Sequence, residues 1–191
     1  MTQASGRPDY SYKASLVGGA HRFTLTDEGL QFQLGRRSGC VRYGEIASIN
    51  LSYRPVSMQA RRFRADISDR SGCRIAVLST TWQTAALIAP QDAGYRAFIV
   101  ALHERMQAAG ADAVLTGGLR PLVHRGAVAL LALVAVAMAA LLIRALLSGE
   151  FAGALFLAGF AALFAWQTGG FVLRNTPRRY RFGDLPRNLL P

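Results

Sequence analysis

GAVALLALVAVAMAALLI, residues 126–143, and FAGALFLAGFAALFAWQTGGFVL, residues 151–173, decide the architecture of this chain. The first run holds 18 residues and the second 23, and neither contains a charge. At a helical rise of ~1.5 Å per residue they span roughly 27 and 35 Å, against a bilayer hydrocarbon core of about 30 Å. Arg144 interrupts the first run, Ala145-Leu146-Leu147 extend it, and Ser148-Gly149-Glu150 supply a polar turn. The pattern predicts a two-helix transmembrane hairpin over 126–173, with spans at 126–147 and 151–173. Two buried core helices would need a large surrounding domain, and 191 residues leave too few to build one. Arg120, His124 and Arg125 precede the first span, and Arg174, Arg178, Arg179 and Arg181 follow the second. The turn offers only Arg144 beside Glu150. By the positive-inside rule both termini are expected in the cytoplasm, with the hairpin in the inner membrane. Arg144 lies close enough to its helix end to snorkel to the headgroups.

Composition agrees. Hydrophobic residues make up 51% and charged residues 17%, and mean hydropathy is +0.21. A disordered polar chain is excluded. Two cysteines, Cys40 and Cys73, with neither CxxC nor metal-ligand spacing, exclude a disulfide scaffold. The net charge of +11 is carried by arginine, Lys13 being the single lysine. Residues 1–118 hold 14 basic and 9 acidic groups, and residues 119–191 hold 8 and 2. The second set clusters beside apolar segments, which points to a lipid bilayer rather than nucleic acid. Residues 1–15 are polar, so no cleavable signal is expected there. Small residues recur at a spacing of four: Ala135 and Ala139, Ala154, Ala158 and Ala162, and Ala161, Ala165 and Gly169. Such rows let helices pack closely, on each other or on a second copy. Gln167 and Thr168 are a polar pair inside the second span, expected to hydrogen-bond a neighbouring helix.

Residues 10–110 read as a separate domain. Phe23 and Leu25, Leu30, Phe32 and Leu34, Ile49, Leu51 and Tyr53, and Phe63, Ala65 and Ile67 each alternate with polar residues. That period of two marks half-buried antiparallel strands. Asp27-Glu28-Gly29, Gly35 to Gly39, and Asp69 to Gly72 are turn signals between them. A last strand is predicted from Cys73 to about Thr80, giving six or seven strands. A helix follows, started by Pro90 and Asp92 and stopped by Gly110. Tyr95, Phe98, Ile99, Leu102 and Met106 form its apolar stripe, with Arg96, Glu104 and Arg105 off it.

Six or seven antiparallel strands, the segment Tyr43-Gly44-Glu45-Ile46-Ala47-Ser48-Ile49 leading into a strand, and a closing helix with an aromatic face resemble the pleckstrin-homology-like (PH-like) superfold. The nearest family is the bacterial PH-like domains fused to transmembrane segments, and the resemblance covers residues 10–110. The tail from Pro177-Arg178-Arg179-Tyr180 through Leu189-Leu190-Pro191 also looks like the ending of uncharacterised membrane proteins of that type. The resemblance implies an α+β chain: an N-terminal PH-like antiparallel β-barrel with a C-terminal capping helix, then the transmembrane hairpin. Residues 1–9 are an N-terminal tail, 111–125 a linker and 174–191 a basic cytoplasmic tail. PH domains that bind phosphoinositides carry several basic residues on the first two strands. Here that stretch offers Lys13, His21 and Arg22, a departure from the pattern.

No GxGxxG, Walker loop or GxSxG is present. His103-Glu104 opens like a zinc-helix motif, but Gln107 stands where the second ligand belongs. His21, His103 and His124 are expected to be surface or interfacial residues. Asp66 and Asp69 flank a hairpin turn, which accounts for them without acid catalysis. No catalytic residue, metal site or cofactor is predicted, and the expectation is a non-enzymatic protein. Arg54, Arg61, Arg62, Arg64 and Arg74 form one basic set, and Arg174, Arg178, Arg179 and Arg181 a second. Arg62 and Arg64 share a strand face opposite Phe63 and Ala65. Of these, Arg62, Arg64, Arg74, Arg174, Arg178, Arg179 and Arg181 are the candidates for contact with anionic lipid or an acidic partner. Tyr180 and Phe182 are expected to insert at the interface beside them. The leading expectation is a PH-like scaffold or interaction module held at the cytoplasmic face, self-associating or joined to another membrane protein. A module reading anionic lipid and a small subunit of a transporter or envelope-maintenance complex are the alternatives.

Overall fold

A computed structural model describes residues 9–15, 18–55, 61–84 and 87–191. The chain is α+β, with β-sheets in its N-terminal part and two long apolar helices near its C-terminus. It divides into two compact units: residues 1–118 together with 178–191, and residues 119–177.

In the first unit, strands β1 (Asp9–Tyr12), β2 (His21–Leu25), β3 (Gly29–Leu34) and β4 (Arg37–Arg42) form an antiparallel meander in sequence order. Gly29 pairs with Arg42 where the β3–β4 ladder ends. A Cβ at Gly29 would lie 2.3 Å from the Val41 carbonyl oxygen, so the crossing of the two backbones requires glycine. A turn at Tyr43–Glu45 leads into β5 (Ile46–Tyr53), which pairs with β6 (Phe63–Asp69), and β6 pairs with β7 (Arg74–Leu78). The alternation read from the sequence is the alternation of burial: Phe63, Ala65 and Ile67 point inward, and Arg64 and Asp66 outward.

The predicted strand from Cys73 to Thr80 is broken at Ser79. That residue is fully buried: its hydroxyl accepts from the Phe63 N–H, its N–H donates to the Phe63 carbonyl and its carbonyl accepts from the Gln91 N–H. The chain therefore turns out of β7 into a separate hairpin, β8 (Thr80–Thr84) and β9 (Leu87–Pro90). Helix α1 (Asp92–Ala108) follows and ends before Gly110, whose φ is +63°. Its predicted stripe of Tyr95, Phe98, Ile99, Leu102 and Met106 is at most 1% exposed. The stripe covers Phe23, Leu25 and Leu30 of one sheet and Ile49, Leu51, Ile67 and Val77 of the other in one continuous core. Burying each such side chain contributes about 1.5–3 kcal/mol.

The strands do not close into the expected barrel. Described residues form sheets of four, five and two strands. At the seam between β1 and β7 the joint is made by side chains: the Tyr10 and Tyr12 hydroxyls donate to the carbonyls of Leu78 and Ala76 at 2.5 and 2.6 Å. Those hydroxyls occupy the acceptors that a continuous backbone ladder would use.

Residues 111–125 are not a linker throughout. Val114–Gly117 form β10, parallel to β5, with Leu115 opposite Ile49 and Gly117 opposite Leu51. Part of the basic tail is also structured. Arg178–Arg179 form β11, antiparallel to β10, so the second sheet runs β11-β10-β5-β6-β7. Leu189 and Leu190 lie in the core, and the Leu189 methyl fills the space that a Cβ at Gly117 would need.

The second unit consists of α2 (Pro121–Leu147) and α3 (Phe151–Arg174), joined at Ser148-Gly149-Glu150, where Gly149 has φ +75°. α2 has Pro at its start, where the missing N–H costs nothing. Over their most apolar stretches the helices have mean hydropathies of 2.8 and 1.5, and none of those residues is buried. Both are long and apolar enough to cross a membrane. Ala135 and Ala139 of α2 and Ala161, Ala165 and Gly169 of α3 line a shared groove of about 460 Å³. Thr168 does not reach across to α2; its hydroxyl donates to Phe164 one turn back, at 2.6 Å.

Candidate functional site: the basic face of the second sheet

The register of β5, β6 and β7 determines which arginines meet. Ser52 stands opposite Arg64, Asn50 opposite Asp66, and Arg64 opposite Leu78. One step beyond the Tyr53–Phe63 pair, the Arg54 N–H donates to the Arg62 carbonyl at 2.8 Å. Arg54, Arg62 and Arg64 therefore share the outer face at one end of the sheet, together with Ser52. Arg74 does not belong to the group. It pairs with Ser68, four residues along β7 from the Leu78 level, about 13 Å away at the strand rise.

The members of the group differ. Arg64 is committed to Asp66, donating from Nε to both carboxylate oxygens at 2.8 and 3.0 Å and from Nη2 to Oδ1 at 2.6 Å. Both partners are about one-third exposed, 34% and 36%, so the pair is worth no more than about 1 kcal/mol. Its effect is local: among the described residues, the carboxylate on this part of the face is used. Arg54 is exposed and Arg62 half-buried. Burial, then the neighbouring Arg64 and Arg54, push the Arg62 guanidinium below its ordinary value. Because arginine stays protonated, this reads as positive charge held without compensation. The Arg62 Nε and the Ser52 Oγ are sealed from water, and neither has a hydrogen-bond partner among the described residues.

The arginines of the second basic set are dispersed. Arg178 and Arg179 are the two residues of β11, on opposite faces of the ladder. Arg178 donates from Nη2 to the Asn188 side chain. Arg179 stands opposite Thr116 on the outer face, Arg181 is exposed, and Arg174 closes α3. Tyr180 and Phe182 do not project as interfacial anchors. Both pack on His103, with ring centroids 5.8 and 6.1 Å away.

His103 is 1% exposed, where a surface or interfacial position is expected from sequence. Its Nδ1 lies 2.7 Å from the Ile99 carbonyl, which can only accept, so Nδ1 carries the proton. Nε2 then accepts from the Tyr180 hydroxyl at 3.0 Å. Burial lowers the His103 pKa against the opposing hydrogen bond to Ile99, and burial raises that of Tyr180. The pair ties the returning segment to α1 in neutral form. His21 is likewise engaged, 3.2 Å from the Tyr12 hydroxyl. Arg22 is exposed beside Gln31, Gln33 and Ser38 on the outer face of the first sheet.

Among the described residues no three His, Cys, Asp or Glu side chains form a group able to hold a metal. Asp69 serves its turn. Although desolvation pushes its pKa up, hydrogen bonds from the Ser71 hydroxyl and the N–H groups of Cys73, Ser71 and Gly72 hold it below the usual value. Cys40 is exposed and Cys73 half-buried, both as free thiols. No protein-family model, curated protein or solved structure matches the chain.

Proposed function

We propose that this chain is a non-enzymatic integral membrane protein that holds a PH-like interaction module at the cytoplasmic face of the inner membrane. The observation that carries the reading is the pairing of β10 with β11. The chain leaves the sheet after β10, passes through two helices of membrane-spanning length, and returns as the next strand of the same sheet. Both ends of the hairpin thus belong to one folded domain, which requires an even number of crossings. Arg120, Arg125, Arg174, Arg178, Arg179 and Arg181 flank those ends and favour the cytoplasmic side. A meander followed by strands and a helix that covers the core supports the PH-like assignment. Self-association or a membrane-protein partner would use the domain surface.

Two measurements test this reading. The protein should stay in the membrane through an alkaline carbonate wash. In spheroplasts, an impermeant maleimide should label Ser148→Cys, while native Cys40 should react only after lysis. Release by carbonate, or labelling of Cys40 from outside, rejects the topology. Crosslinking in intact membranes should then give reproducible adducts through the domain, and their absence rejects the interaction role.

A further inference from the structure

The parallel pairing of β10 with β5 sets the direction in which the chain exits the domain. Gly117 lies opposite Leu51, and the Gly118 N–H donates to the Leu51 carbonyl at 2.8 Å. The chain passes into α2 at Pro121, so it leaves from the C-terminal end of β5. Arg54 directly follows β5 at that same end, and Arg62 stands across from it at the start of β6. Like charges placed directly opposite on adjacent strands destabilise a sheet. Asp66 is bound to Arg64, and among the described residues neither Arg54 nor Arg62 has a carboxylate within ion-pair distance. The outer guanidinium nitrogens of such a pair match a phosphate, whose oxygens accept N–H bonds from both.

We propose that Arg54 and Arg62, opposed at the end of the sheet where the chain departs for α2, hold the phosphate of an anionic lipid headgroup. The inference rests on the reading of α2 and α3 as membrane spans. Two features select lipid over another acidic partner. The arginines lie at the chain's exit toward those helices, and the first basic residues after Gly118, where the chain leaves the sheet, are Arg120 and Arg125 beside the first span.

The test uses the full chain in nanodiscs of equal phosphatidylglycerol and phosphatidylcholine, released for native mass spectrometry. Wild type should retain phosphatidylglycerol in excess. The double variant R54Q/R62Q should retain about thirtyfold less, as expected for two basic groups at an anionic surface. R74Q loses the same kind of charge at the far end of the sheet and should behave as wild type. R54Q/R62Q should melt no lower than wild type, because a repulsive pair has been removed. Equal retention by wild type and R54Q/R62Q overturns the proposal, and so does an equal loss in R74Q, which would assign retention to net charge. Displacement of the lipid by millimolar inorganic phosphate would assign the site to free phosphate and also overturn it. Carbonate extraction separates the two readings: a protein that stays in the membrane but shows no Arg54/Arg62 effect refutes the lipid site alone.

Discussion

Helices α1 and α2 carry apolar side chains to opposite ends. α1 buries one stripe, and its remaining surface includes exposed Arg96 and Glu104. α2 buries no residue and leaves Leu130, Leu133 and Val136 more than 60% exposed. An amphipathic stripe is written against a protein partner, and every one of its positions has an address in the core. A helix that is apolar all round is written against a solvent, and no single position matters as much. α1 is therefore specified residue by residue, and α2 by composition.

Substitutions should sharpen that contrast. Phe98→Ala in α1 removes a ring that packs on Tyr10 and Phe23, with centroids 5.6 and 6.0 Å away. Thermal or denaturant unfolding should show a loss of about 3–5 kcal/mol. Phe160→Ala in α3, 51% exposed, should leave domain stability unchanged. A comparable loss in both would collapse the distinction. Leu133→Arg should then penalise membrane insertion by about 2.5–3.5 kcal/mol, read as the fraction glycosylated in an insertion assay. Ala97→Arg, on the exposed side of α1, should have almost no effect on unfolding. The smallest effect is pH dependence. His103 has a lowered pKa in the fold, so between its unfolded value of about 6.5 and its lower folded value the unfolded chain binds more protons. Stability from this group is complete above about pH 6.5 and falls as the pH drops through that window. His103→Gln should flatten the acid limb of a stability–pH curve; an unchanged limb would show that His103 contributes nothing to it.

The same contrast explains what the sequence makes legible. α1 was readable because five apolar residues fall on one stripe between a start and a stop signal. β3, β5 and β6 were readable because alternation along a half-buried strand is local. β1 was not, since its alternation of Asp-Tyr-Ser-Tyr runs over only four residues. β10 and β11 escaped because they have four and two residues, and their meaning lies in partners far along the chain. Leu189-Leu190 between asparagine and proline resembled a solvated ending, and nothing local marks the two side chains as core. Arg62 and Arg64 were identified as a shared face. Their inequality was hidden, because it depends on which of them Asp66 takes. Arg74 joined the set by sequence proximity, and only the β6–β7 register removes it.

The pairing of β10 with β11 also orders events during synthesis. The first 118 residues emerge without β11, Tyr180 or the Leu189–Leu190 pair, and the ribosome must first translate Leu119–Pro177. At about 5–20 residues per second, those roughly 60 residues take about 3–12 s. Throughout that interval Gly117 faces an unfilled space and His103 lacks its tyrosine. The domain cannot finish until both apolar helices have been made and their far end has come back. Completion of the fold therefore waits on the synthesis of both helices.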